Sequence, residues 1–223
     1  MYKFETSAPV SAVLDIPAGR IRFVAADRDT TTVEVLPANA SKSRDAQAAE
    51  QITVAYADGV LRIGAAPAKN RILGDCGSVE VTVRLPAGSG VEAKTASGEF
   101  RGVGRLGDVV FEGAQAQVHL DETAGARLSV QAGGIAVGRV DGAAEISVQQ
   151  GDITIAEAVR GTVTLHTESG AISIGAARGA SATLYASTSY GRIQNALNNT
   201  DGTAADLNIR ATTSYGDITA RSI

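Results

Sequence analysis

Arg127–Ala177 reads RLSVQAGGIAVGRVDGAAEISVQQGDITIAEAVRGTVTLHTESGAISIGAA. One phrase occurs three times in it: a short alternating run, a small polar turn with a glycine, then a second alternating run. In Glu145-Ile146-Ser147-Val148 the isoleucine and valine share a face, and in Asp152-Ile153-Thr154-Ile155 the two isoleucines do. A period of two is the signature of a strand, because successive side chains point to opposite faces. Each phrase therefore supplies two short strands with one apolar face, and alone it buries almost nothing. Stacked on its neighbours at about 4.8 Å per layer it closes a shared core.

The phrase continues outside this stretch. Aligned on the glycine before the second run, the copies are Ser97-Gly98-Glu99-Phe100, Gly133-Gly134-Ile135, Gln150-Gly151-Asp152-Ile153, Ser169-Gly170-Ala171-Ile172, Tyr190-Gly191-Arg192-Ile193 and Tyr215-Gly216-Asp217-Ile218. From Gly98 to Gly134 the gap is 36 residues, two steps of 18 with Ala116 at the midpoint, and the later steps are 17, 19, 21 and 25. A short repeat with drifting length marks a solenoid whose turns absorb the insertions. One column of the stack is read as Ile135, Ile153, Ile172, Ile193 and Ile218, and another as Val130, Val148 and Leu165. Hairpin signals are scarce: Asp-Gly occurs at Asp58-Gly59, Asp141-Gly142 and Asp201-Gly202 only, and Asn-Gly not at all. The expected fold is therefore all-β, a single-stranded parallel β-helix (β-solenoid), with one short helix in the N-terminal part.

Residues 1–87 are read as a β-rich N-terminal part and residues 88–223 as the solenoid repeats, in one continuous domain. Strands fit Ala12–Ile16, Arg20–Val24 and Thr32–Leu36, with turns at Pro17-Ala18-Gly19 and 27–30. Residues 39–50 lack β-branched side chains and are rich in alanine and charge, so a short helix capped by Ser41 or Ser43 is expected there. Residues 51–55 and 59–63 form a strand pair across Ala57-Asp58-Gly59. Residues 64–77, which contain Cys76, the one cysteine, break all periodicity and make the longest loop before the C-terminal region. Ser78–Leu85 alternates again, and Leu85-Pro86-Ala87-Gly88 echoes Ile16-Pro17-Ala18-Gly19.

The Asp-Ile-Pro-Ala-Gly unit, the Ser/Asp/Ala-rich link near 41–50, the Val-Glu-Val-Thr-Val-Arg-Leu-Pro-Ala-Gly run at 79–88 and the chain of Ser-Gly-x-Ile units together resemble a bacterial family of candidate adhesins of unknown function, the β-strand-repeat proteins. The resemblance covers nearly the whole chain. It implies a right-handed β-helix-like fold and no catalysis, and it brings no catalytic residues. The architecture more loosely resembles the bactofilin filament proteins.

Composition narrows the function classes. Aromatic residues are 4% of the 223 residues and tryptophan is absent, which suits a core of stacked aliphatic residues. The formal net charge is −4, and residues 109–223 carry all of it, with 11 acidic residues against 7 arginines. No basic face is available for nucleic acid. One cysteine allows no internal disulfide. The N-terminal residues contain no signal-peptide core and no run is long enough to span a membrane, so the expectation is a cytoplasmic chain without membrane insertion.

The residues with reactive chemistry are scattered. His119 and His166 fall on different coils and point outward, too far apart to share an ion. Asp152 and Asp217 occupy one repeat position, with Gly134, Ala171 and Arg192 in the equivalent place on other coils; an Arg192–Asp217 pair is read as a surface salt bridge. No catalytic, cofactor-binding or metal-binding residue is assigned. Arg105, Arg139, Arg160 and Arg178 recur near one corner as a mixed, solvated face. Tyr190 and Tyr215 fall in register on one corner and are candidate interaction residues. Ile218 is the third, because the coil it belongs to has no polar cap after it and reads as an open edge. The expected role is a non-catalytic structural or interaction scaffold that self-associates through a solenoid end. The alternative is an adhesin-type module binding a ligand or glycan at the tyrosine corner or the 64–77 loop; a polysaccharide lyase or hydrolase ranks last.

Overall fold

The structure, a computed structural model, describes residues 1–65, 77–200 and 202–223. The 64–77 loop reading and Cys76 fall mostly or wholly on residues 66–76, outside the described residues. The chain divides into two units, Met1–Ala116 and Gln117–Ile223.

The first unit contains β1 (Tyr2–Glu5), β2 (Ser11–Ala26), β3 (Thr30–Pro37), α1 (Ser43–Gln51), β4 (Ile52–Ala57), β5 (Val60–Ala65), β6 (Val79–Pro86) and the first part of β7 (Gly90–Ala132). The two strands expected over 12–24 are one bent strand, β2, which turns its corner at Gly19 with φ +148°. Its first half pairs in parallel with β5 and with the start of β7, and its second half with β6 and with residues 98–103 of β7. Three pairings are antiparallel: β1 with β3, β3 with β6, and β4 with β5. The sheet is thus mixed, which corrects the expectation of parallel pairing alone. The β4–β5 reversal has a local cause, because Asp58 and Gly59 both take positive φ (52° and 77°), the geometry of a two-residue hairpin turn. In the core, Phe100 lies between Phe23 at 5.9 Å and Phe111 at 4.8 Å.

Helix α1 starts after Lys42 with no side-chain cap, so neither Ser41 nor Ser43 caps it. Asp45 does the anchoring instead. It is buried, and its carboxylate accepts the backbone N–H of Asn39 (3.1 Å), which follows β3, and of Ser78 (2.9 Å), which precedes β6. The helix comes so close to Gly77 that a Cβ there would lie 2.2 Å from the Arg44 carbonyl oxygen.

The second unit carries the end of β7, then β8 (Ile135–Val140), β9 (Ala144–Gln150), β10 (Ile153–Ala158), β11 (Gly161–Ser169), β12 (Ile172–Ala176), β13 (Ala182–Tyr190), β14 (Ile193–Ala196), a 3-10 turn at Gly202–Ala204, β15 (Leu207–Tyr215) and β16 (Ile218–Ser222). Every pairing described here is parallel, and the strands form two ladders. One runs β7–β9–β11–β15–β13. The other runs β7–β8–β10–β12–β16–β14. A coil is one strand from each ladder.

Like residues stack along each ladder, because neighbouring layers share one backbone geometry. Ile135, Ile153, Ile172, Ile218 and Ile193 form one column, in that spatial order. Fully burying one such side chain contributes about 1.5–3 kcal/mol. On the other ladder the register differs from the expected one. Leu165 pairs with Ile146, and Val148 pairs with Thr167. The slip is two residues, which keeps each side chain on its face, so alternation alone cannot detect it. The corner column also runs through Gly133 rather than Gly134. A Cβ at Gly151 would lie 2.0 Å from the Gly133 carbonyl oxygen, and one at Gly170 would lie 2.0 Å from that of Gly151. Beside this column, the hydroxyls of Thr167, Thr213 and Thr188 donate to the carbonyls of Gly151, Gly170 and Gly216 at 3.0–3.1 Å. Each coil is thereby clasped to the one beneath it.

The order of the last coils departs from the order of the chain. The coil of β15 and β16 lies between the coil of β11 and β12 and the coil of β13 and β14. After β12 the chain skips one layer to form β13 and β14, and β15 and β16 then occupy the layer it skipped. This accounts for the two long repeat steps.

Candidate interaction surface

The strand order decides what the second unit leaves open. Ile218 is fully buried, paired with Ile172 on one side and Ile193 on the other. The expectation of an open edge at Ile218 is corrected: the coil latest in sequence is inside the stack. The edge belongs to β13 and β14. Among the described residues β13 pairs with β15 alone and β14 with β16 alone. Ile193 therefore stays 46% exposed although it continues the isoleucine column.

The hydrogen-bond polarity gives the edge its character. Gly133, Gly151, Gly170 and Gly216 each donate their N–H to a carbonyl of the next layer (Gln150, Ser169, Tyr215 and Tyr190), at 2.8–2.9 Å. Ile135, Ile153, Ile172 and Ile218 do likewise, the last to Arg192 at 2.9 Å. At the equivalent places in the edge coil, Gly191 and Ile193 have no further described layer to donate to. An unpaired strand edge is a template for another strand.

Tyr190 and Tyr215 come together at the corner of the two outermost coils. Their rings are 5.1 Å apart, inclined by 2°, and 69% and 60% exposed. The register places them directly over one another. Tyr185, on the outward face of β13, is 64% exposed. Sequence reading missed Tyr185 and Ile193 as edge residues; the lengthened steps after Gly170 were the available signal.

The remaining candidates have structural partners. Asp152 accepts the backbone N–H of Ala171 (2.7 Å) and Asp217 that of Arg192 (2.8 Å). Gln117 accepts that of Gly134 (3.1 Å) in the same manner. These side chains bind one layer to the next. His119 and His166 are exposed and lie on different ladders. Arg139 bonds Glu157 and Asp141, and the hydrogen bonds to these two carboxylates hold its pKa above the ordinary arginine value. The Arg160 Nε–H donates to the Asp141 carbonyl oxygen at 3.2 Å. Among the described residues no three His, Cys, Asp or Glu side chains converge on a metal-sized site. No helix among them is long and apolar enough to cross a membrane.

Stacked parallel ladders with one edge coil define an all-β repeat protein. The chain belongs to the Toastrack DUF4097 family, whose model matches residues 13–222. Among solved structures it is similar to a candidate adhesin from Parabacteroides distasonis, at 14% identity and a TM-score of 0.52 over 98% of this chain and 95% of the other. It is also similar to a candidate adhesin from Bacteroides fragilis, at 15% identity and a TM-score of 0.49 over 100% and 95%. No curated protein matches its sequence.

Proposed function

We propose that this chain is a non-catalytic interaction scaffold, a right-handed β-solenoid whose working surface is the coil Ala182–Ala196. The parallel ladders of the second unit support the handedness, since parallel strands joined by crossovers are right-handed in nearly all cases. The observation that carries the role is the edge coil itself: its strands pair on one side only, and its tyrosine and isoleucine side chains face solvent. The carboxylates at the repeat position are engaged in joining layers, which supports a structural use for them over acid–base chemistry.

A second reading has its own observation. Two parallel, stacked tyrosine rings, both exposed, offer apolar ring surface at the corner with hydroxyl groups at its rim, suited to a sugar face or a partner's side chain. On this reading the module is adhesin-like and binds a glycan or another ligand at the Tyr190/Tyr215 corner.

One experiment tests the assigned surface. Wild type, the Tyr190→Ala/Tyr215→Ala pair and Ile193→Lys are compared on glycan arrays, on immobilised envelope fragments and by solution mass. The proposal expects at least one association that the edge substitutions weaken. Associations indifferent to all three substitutions, or turnover of a polysaccharide, would remove it.

A further inference from the structure

We infer that the edge strand β13 docks a second copy of this chain, antiparallel to itself, about a two-fold axis at Ala186. The inference rests on the edge coil being the working surface and names its partner.

The core is unfinished at this edge. Ile209 is buried in β15, whereas its neighbour in the edge coil, Leu184, is only half-buried. Ile218 is buried, whereas Ile193 above it is not. One more strand layer would cover both columns and take up the outward backbone groups that follow Ala182, whose own N–H donates to the Asn198 carbonyl oxygen.

Edge strands that are meant to stay free are short, charged or interrupted by proline. The edge strand β1 of the first unit has that character: four residues, with Lys3 and Glu5 in an ion pair at 3.4 Å. Strand β13 has the opposite one. It is nine residues long, ATLYASTSY, with no charge, proline or glycine.

Charge and symmetry select the occupant. A neutral strand offers nothing to a strongly acidic or basic partner, and it meets its own copy without repulsion. Ala186 is the midpoint of β13, so a dyad there pairs the central residues 183–189 with those of the second copy, short of Ala182, whose outward N–H already donates to the Asn198 carbonyl oxygen at 3.0 Å. Thr183 then faces Ser189 of the second copy, Leu184 faces Thr188, and Tyr185 faces Ser187. Polar meets polar on one face, and the half-buried side chains meet on the other. Arg192, the one charged residue of the edge coil, falls beyond the paired segment. The contact uses the same strand twice and closes at two copies.

The test is sedimentation equilibrium of the full chain from micromolar to several hundred micromolar, with far-UV circular dichroism as the check on folding. Wild type is expected to form a dimer. Ser187→Lys, which puts two lysines beside the dyad, should raise the dissociation constant about tenfold or more. Thr164→Lys, on an exposed position of the interior strand β11, should leave it unchanged. A wild-type monomer throughout the range overturns the inference, as does a dimer indifferent to Ser187→Lys. A monomer that still binds a ligand through the Tyr190/Tyr215 corner overturns the second copy as partner while the edge coil stands as the binding surface. A monomer with no edge-dependent binding overturns both.

Discussion

Tyr190 lies over Tyr215 with its ring only 2° from parallel, although 25 residues of chain separate them and the later residue occupies the inner layer. Offset aromatic pairs contribute about 0.5–1.5 kcal/mol beyond area burial. Tyr190→Ala should therefore lower the unfolding free energy by about that amount in urea titration. The coupled tyrosine signal in near-UV circular dichroism should vanish with either single substitution. A signal that survives Tyr190→Ala would mean that the rings are not stacked in solution.

The glycine corners should be unequal. Gly151→Ala places a Cβ 2.0 Å from the Gly133 carbonyl oxygen at φ +146°. Steric overlap and backbone strain together should cost about 3 kcal/mol or more. Gly179→Ala, at φ +80° with nothing within 4 Å, should cost about 1 kcal/mol. Chemical denaturation of the two variants side by side decides the matter; equal losses would contradict the stacked corner.

Asp45 holds α1 by two charge-assisted hydrogen bonds to backbone N–H groups. Asp45→Ala should destabilise the chain by about 2–3 kcal/mol, with Asp45→Asn keeping part of the effect through its remaining acceptor. If the alanine variant unfolds at the wild-type urea midpoint, the helix is not anchored there.

The inserted coil makes a prediction that a stack in chain order does not. Amides of Leu207–Tyr215 are covered on both sides, and those of Ala182–Tyr190 on one. Hydrogen exchange in the monomeric Ser187→Lys variant should be about tenfold slower or more in the later segment. The reverse ranking would restore the simple order.

Much of this architecture is legible in the residues, and the parts that are not have one cause. Ile153 and Ile155 announce their strand because alternation reports which face a side chain takes. Asp58-Gly59 announces its hairpin because two positive φ angles demand such residues. The isoleucine column is legible as a set. Its order is not, because Ile172, Ile193 and Ile218 sit in nearly identical phrases and each could pair with either of the others. The same degeneracy hides the two-residue slip between Val148 and Thr167. The edge surface follows from that order, so it was legible only in part: Tyr190 and Tyr215 stood out by their shared phrase, whereas Tyr185 looked like any outward strand residue. The repeated Pro-Ala-Gly phrase even misleads, since Gly19 lies opposite Gly98 at one corner, while Pro86 ends a strand beside Ala26.

The interleaved coil also bears on how the protein is born. During synthesis the segment holding Ile193 leaves the ribosome before the one holding Ile218, yet its permanent seat is on top of it. Until the later segment emerges, the earlier one has no native neighbour, because the layer it pairs with has not yet been made. The native pairing of this rung therefore waits on residues synthesised after it, and the stack cannot be completed in the order of translation.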